Sequence, residues 1–253
     1  MSVIRLEGLG FRYPNATGWV LQDLSLNVAA GEFVAIVGGS GVGKSTLLRM
    51  IAGLIAPQAG SISLAGVPDP ARRRWAMVFQ DGRLLPWRRV AHNVMLGLEG
   101  LALNADAARQ RAHDALWLTG LADMAERWPH QLSGGQVQRV GIARALAVEP
   151  DILLMDEPFS AVDAMTRRHL QTELVRIWQS SGKAVIFVTH DIDEAVFLAD
   201  RVIVLGGQPA GIVREEKIFA NRIGRRDSVE FLNVSERLNA ALGGRLFDDG
   251  GGI

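Results

Sequence analysis

The sequence predicts an α/β fold: a parallel-sheet core, an N-terminal antiparallel β subdomain and an inserted α-helical subdomain. Three observations predict it. Unbroken apolar runs at residues 33–37, 152–155, 185–188 and 202–205, each near a helical stretch, read as strands buried on both faces of a parallel sheet. Residues 4–9 and 24–28 alternate apolar with polar or small residues around a turn at 14–18, the pattern of half-buried antiparallel strands. Residues 86–150 are rich in alanine and leucine at helical spacing and lack β-branched runs.

These elements divide one expected domain, 1–253. Residues 1–85 and 151–215 form the α/β core with its antiparallel β subdomain, 86–150 the helical subdomain, and 216–253 a C-terminal tail. Within the tail, residues 229–242 form a polar amphipathic stretch, and Arg222, Arg225 and Arg226 read as a solvated helix start rather than a regulatory site. The last residues are expected to fray.

Composition excludes several classes of function. Of 253 residues none is cysteine, so there is no disulfide scaffold, no thiolate metal site and no thiol nucleophile. The 27 basic residues balance the 27 acidic ones, which removes the broad electrostatic drive towards nucleic acid that a basic domain carries. No run approaches 18 consecutive apolar residues, and the first residues lack a cationic segment followed by an apolar one. The expectation is a soluble chain that binds no nucleic acid and reaches a membrane only through a partner.

Residues 38–46 read GGSGVGKST and match the pattern GxxxxGK[ST] through Gly38, Gly43, Lys44 and Ser45. Glycines let backbone N–H groups turn onto phosphate oxygens, Lys44 brings a cation to the β- and γ-phosphates, and the Ser45 hydroxyl is a Mg²⁺ ligand. Gly39, Ser40, Gly41, Val42 and Thr46 complete the cradle. The loop follows a buried strand and opens a helix expected over residues 44–54, as the motif requires, and its lysine is one of only three in the chain. Nucleotide binding follows, with Mg²⁺ on the phosphates.

Residues 152–157 read ILLMDE, four apolar residues and then two carboxylates where a strand should end. Alone, such a pair reads as a solvated turn. Beside a phosphate loop at the carboxyl edge of a parallel sheet, Asp156 can hold Mg²⁺ and Glu157 can reach an attacking water. Residues 132–136 read LSGGQ and lead into a helix expected over 137–148, stopped by Pro150. Ser133 and Gln136 have capping-box spacing. Gly134 and Gly135 beside a helix N-terminus also make a second anion-binding nest, and two phosphate sites in one subunit suggest two subunits sharing each nucleotide.

With these motifs the sequence resembles the ATP-binding-cassette (ABC) ATPases over about residues 3–205. The resemblance implies a P-loop NTPase fold with a RecA-like parallel-sheet core and assigns further positions. Tyr13 matches the aromatic that stacks on adenine, with Phe11 two residues away on the same strand face as the alternative. Gln80 in VFQD matches the glutamine that senses Mg²⁺ and the transmembrane partner. SAVD, ending at Asp163, resembles the D-loop, and His190 in VTHD resembles the histidine that contacts the γ-phosphate. The other histidines, His92, His113, His130 and His169, read as surface or capping residues. Val162 and Val137 depart from commoner family residues without removing a catalytic group.

The family's head-to-tail dimer would place each ATP between one copy's P-loop and the other's LSGGQ. It makes Glu157, His190, Lys44 and Gln80 the catalytic set. The segments GRLLPWRRVAHNV, EPFSAVDAMTR and VTHDIDEAVFLADRVIVL resemble ATP-binding subunits of the nitrate/sulfonate/taurine importers. That resemblance implies a second copy of the chain, a permease dimer and an extracytoplasmic substrate-binding protein as partners, at the cytoplasmic face of the inner membrane. Residues 84–87, LLPW, are either a docking loop for a partner helix or buried in the helical subdomain. The alternative functions are a soluble ABC switch on nucleic acid or ribosomes, disfavoured by one cassette without heptads or net positive charge, and a small-molecule kinase, which has no use for LSGGQ.

Overall fold

A computed structural model describes residues 2–14, 16–160, 162–218 and 225–243. In chain order these carry β1 (Ser2–Phe11), β2 (Leu21–Ala29), β3 (Phe33–Gly38), α1 (Lys44–Ile51), β4 (Ala59–Leu64), β5 (Trp75–Val78), α2 (Val90–Met95) and α3 (Ala105–Leu118). Then come α4 (Gly134–Ala147), β6 (Ile152–Asp156), α5 (Ala164–Ser181), β7 (Ala184–Thr189), α6 (Ile192–Leu198), β8 (Arg201–Gly206), β9 (Gly211–Lys217) and α7 (Val229–Gly243). Backbone contacts divide the chain into two units, Met1–Ala65 with Ala184–Ile253, and Gly66–Lys183.

The first unit holds two sheets. In one, β1 lies between β2 and β4, antiparallel to both, and the alternating burial of β2 leaves one face to solvent. In the other, β3 pairs in parallel with β7 on one side and β8 on the other, and β9 adds an antiparallel edge. Every residue of β3 and β7 is buried, which is why both read as unbroken apolar runs. Arg201 joins these sheets: its Nε donates to Glu32 at 2.8 Å, one terminal nitrogen to Glu215 at 3.0 Å and the other to the Asn27 carbonyl. The Glu32 and Glu215 carboxylates outweigh burial and hold the guanidinium pKa above its ordinary value.

The second unit pairs β5 in parallel with β6. Residues 86–150 carry α2, α3, α4 and short 3-10 turns, with no strand. Asn93, fully buried on α2, accepts from the Leu85 amide at 2.7 Å and donates to the Leu85 and Arg88 carbonyls, so the chain leaving β5 is tied to the helical layer. Helix α4 starts at Gly134, three residues earlier than the expected 137, because the Ser133 cap satisfies N–H groups that two glycines would otherwise leave to water. Helix α1 stops at Ile51, short of the expected 54.

The tail corrects the sequence reading. Arg225 is no solvated residue: it is 3% exposed and aimed at the carboxyl end of α6. The amphipathic stretch is α7, with Phe231, Val234 and Leu238 buried. Arg222, Asn15 in the first turn, Ala161 of SAVD and the fraying expected for residues 244–253 lie outside the described residues. No helix among the described residues is long and apolar enough to cross a membrane.

Candidate functional site

In the first unit the phosphate loop runs from the end of β3 into α1. Gly43, the residue before α1, sits at φ 108°, where a side chain would be strained and would also press on Val20 and Leu21. Gly38 is needed for space. A Cβ there would lie 2.8 Å from Val42 Cγ1 and 2.9 Å from the Leu205 carbonyl. No side chain hydrogen-bonds the start of α1, and the dipole at a helix N-terminus favours an anion in the loop before it. Lys44, 6% exposed, donates through Nζ to the carbonyls of Gly38 at 2.8 Å and Gly39 at 3.0 Å.

Ser45 is half-buried in the first turn of α1, and Thr46 is buried. The Tyr13 hydroxyl lies 3.0 Å from Thr46 Oγ1, and the ring stands edge-on to Phe11 with centroids 5.1 Å apart. Of these two aromatics Phe11 is 5% exposed and Tyr13 45%. A cavity of about 1180 Å³ is lined by Gly38, Gly39, Ser40, Gly41 and Val42 together with His190, Trp19, the 205–210 turn, and Ala241 and Leu242 of α7. His190 follows β7 and is exposed, and the structure brings it to the loop's own cavity. His92, His113, His130 and His169 are exposed on the surface, as expected.

The backbone behind His190 is held tightly. The Asp191 amide donates to Thr189 Oγ1 at 3.1 Å, and Asp191 caps α6 by accepting from the Glu194 amide at 3.0 Å. Thr189 in turn donates to the buried Glu194 carboxylate at 2.5 Å.

In the second unit the predicted segments lie at the start of α4, at the end of β6 and on the turns after β5 and before α5. Ser133 and Gln136 form the expected capping box: Ser133 Oγ accepts from the Gln136 amide at 3.3 Å, and Gln136 Oε1 accepts from the Ser133 amide at 2.9 Å. Ser133 and Gly134 are exposed, whereas Gly135 is buried against Thr166 and Leu170. Gln80, exposed, lies on the turn after β5. That turn is clasped by α4: Gln138 donates to the Phe79 carbonyl at 3.1 Å, and Arg144 donates to the carbonyls of Gly82 at 2.6 Å and Arg83 at 2.8 Å. Burial lowers the Arg144 pKa from its ordinary value, opposed by Asp81. Gly82, at φ 65°, faces Val137: a Cβ there would stand 3.1 Å from Val137 Cγ1 and 3.1 Å from its carbonyl oxygen, so the glycine lets turn and helix approach.

Asp156 and Glu157 are half-buried at the end of β6. Glu157 takes φ 45°, a left-handed conformation that costs about 1–3 kcal/mol in a non-glycine residue. Ser160 secures it, donating its amide at 3.2 Å and its hydroxyl at 2.8 Å to the Glu157 carbonyl. Asp163 is the N-cap of α5, accepting from the amides of Thr166 at 3.0 Å and Met165 at 3.1 Å. The Thr166 amide above all holds its carboxyl below the usual range. Leu84 and Leu85 are half-buried, and Trp87 is 69% exposed.

The sequence reasoning missed Gln138, Arg144, Thr189 and Glu194. These residues touch backbone or one another rather than a phosphate, and only their partners reveal a role. Helical spacing could have singled out Gln138, which falls among the apolar, buried positions of α4, whereas Arg144 is only half-buried and no pattern marks it.

Comparison with known proteins meets this geometry. Residues 21–160 match the family described as ABC transporter. The chain is 48% identical to an aliphatic sulfonates import ATP-binding protein of Mesorhizobium japonicum, over 90% of this chain and 83% of that protein. It is 44% identical to a taurine import ATP-binding protein of Pseudomonas fluorescens, over 94% and 90%. Among solved structures it resembles a dimeric ATP-binding cassette in a post-hydrolysis state with ADP and Pi, with TM-score 0.69, 33% identity, and 86% of this chain and 100% of that one covered. It also resembles cbiO1 from Clostridium perfringens, part of the ABC transporter complex cbiONQ, with TM-score 0.77, 29% identity and coverage of 94% and 99%. The family match alone takes in more than half of the chain, which belongs to the ABC transporter family of ATP-binding proteins.

Proposed function

We propose that the chain is the ATP-hydrolysing subunit of an importer for a small anionic solute of the sulfonate, taurine or nitrate type. The observation that carries the ATPase reading is the cavity shared by the glycine-rich loop and His190. The importer reading is supported by the aliphatic-sulfonate and taurine import relatives. A permease dimer is then the membrane partner, a substrate-binding protein acts through it from outside, and the chain works at the cytoplasmic face of the inner membrane. Exposed Trp87 beside half-buried Leu84 and Leu85 supports the docking alternative for the LLPW loop over burial.

Two copies would close head to tail, each ATP lying between one copy's phosphate loop and Ser133, Gly134, Gly135 and Gln136 of the second copy. Exposed Ser133 and Gly134, at an N-terminus where the dipole favours anions, suit that contact. Tyr13 is the adenine platform, because Phe11 is buried behind it. The amides of Gly39, Ser40, Gly41, Val42, Gly43 and Thr46 cradle phosphate oxygens, and Lys44 exchanges its carbonyl partners for the β- and γ-phosphates. Asp163 contributes by fixing the start of α5 and so the loop before it.

By the family's pattern Ser45 in the first unit, and Gln80 and Asp156 in the second, are each candidate Mg²⁺ ligands: the hydroxyl, amide and carboxylate oxygens they carry suit a hard cation that keeps waters and phosphate ligands. When bound, the ion neutralises charge on the phosphate oxygens. Glu157 accepts a proton from water as the water oxygen bonds to the γ-phosphorus and the bridging bond to ADP breaks. His190 keeps the γ-phosphate in line.

Glu157→Gln should keep ATP affinity, trap the dimer and lower turnover about 10²–10⁴-fold, the usual range for a lost general base. Wild-type hydrolysis in that variant would overturn the assignment. Lys44→Ala should instead weaken nucleotide binding, read by titration. For the importer, the chain reconstituted with its permease and binding protein should hydrolyse ATP faster when a sulfonate or taurine is supplied. Purification bound to ribosomes or DNA with no membrane partner would favour the soluble switch.

A further inference from the structure

Helix α6 begins two residues after His190, and the C-terminal segment grips it at both ends. At its carboxyl end, Arg225 Nη1 lies 3.0, 3.1 and 2.8 Å from the carbonyl oxygens of Val196, Phe197 and Ala199. A cation here meets the negative end of the helix and satisfies carbonyls that have no partner within it. Arg226 stacks over the Phe197 ring, 3.8 Å from its centroid. At the amino end, Ser235 of α7 donates to Asp193 at 2.9 Å, one turn from His190. Ala241 and Leu242, in the last turn of α7, then line the cavity shared by His190 and the phosphate loop.

Burying a guanidinium to 3% exposure is costly unless its hydrogen bonds are met by fixed acceptors. A solvated tail has no use for it. We infer that residues 225–242 are a clamp that sets the position of α6, and through it of His190, making Arg225 and Ser235 positioning residues for ATP hydrolysis. The inference rests on the role proposed for His190.

The test is steady-state ATPase of the full chain, with kcat and KM measured separately. Arg225→Ala should lower kcat about tenfold or more while KM for ATP stays within about twofold, since a displacement on the ångström scale at a reacting group costs up to about a hundredfold. Arg225→Lys should recover part of the loss, because it keeps the charge but not the fork. The deciding measurement is a double-mutant cycle: in a His190→Ala background, Arg225→Ala should lower the residual turnover less than about twofold, since both changes act through one group.

If the two losses multiply, or if Arg225→Ala leaves kcat unchanged, the clamp is wrong. If Arg225→Ala does not fold, Ser235→Ala takes its place, with a smaller kcat loss expected that also vanishes in the His190→Ala background; unchanged kcat there overturns the inference. Wild-type turnover in His190→Ala alone would remove the role of His190 and the clamp with it. Loss in His190→Ala beside silent Arg225 and Ser235 variants would remove only the clamp.

Discussion

The chain carries two glycine-rich helix starts, and their glycines serve different ends. In the phosphate loop Gly43 supplies a left-handed backbone at φ 108° and Gly38 allows contact with Val42 and the Leu205 carbonyl, so the loop's shape depends on them. At α4, Gly134 has an ordinary helical place, and a Cβ there would meet nothing within 4 Å. Its helix is started by the Ser133–Gln136 capping box. One loop therefore needs glycine to fold. The other folds through its cap, and its glycine leaves a bare surface that a second molecule can approach.

The sharpest way to break this contrast is Gly38→Ala. Overpacking should cost about 1–3 kcal/mol, read by urea unfolding, and ATP binding should be lost with it. Wild-type affinity would mean that the loop is more pliant than its contacts suggest. Arg144→Ala comes next: it leaves the Gly82 and Arg83 carbonyls without their donor and should cost about 1–2 kcal/mol. It should slow turnover through the Gln80 turn while leaving nucleotide affinity at the phosphate loop intact.

Gly134→Ala should leave stability unchanged or raise it by a few tenths of a kcal/mol, alanine being the better helix former. Its turnover should nevertheless fall if the added methyl occupies the face proposed to meet the second copy. Equal loss of stability in the Gly38 and Gly134 variants would erase the distinction. The smallest effect concerns Asp163. Its carboxyl is held below the ordinary value by the α5 amides, so its stabilisation is present above the unfolded-state value and is lost as pH falls through the folded one. Asp163→Asn should flatten the decline of the unfolding midpoint below about pH 4.

Much of the molecule was legible because burial writes itself into composition. Within β3, β6, β7 and β8 the runs 33–37, 152–155, 185–188 and 202–205 are apolar without interruption, and the Ser133–Gln136 spacing announced a real cap. Three strands were not legible. β4 is largely exposed on a sheet edge, β5 is only four residues long, and β9 reads GIVREEK, held at an edge by backbone bonds to β8. Edge strands need only one buried face or none, so no hydrophobic pattern marks them. Arg225 was misread for a related reason: beside Arg222 and Arg226 it looked like a solvated charge cluster, and only the carbonyl end of α6 gives it a buried partner.

The sequence by itself determined the chemistry available: a phosphate loop, an acidic pair after an apolar strand, a capped glycine start and a histidine at a strand end. Those signals are local, because backbone geometry and burial at each site limit which residues fit. Tertiary structure alone decided which groups act together within each unit. It brought His190 to the phosphate loop's cavity, set Gln138 and Arg144 on the Gln80 turn, and closed α6 with Arg225. The contacts of Gln138, Arg144 and Arg225 are hydrogen bonds to backbone carbonyls, which every residue carries, so no side-chain pattern could disclose them before the chain was folded.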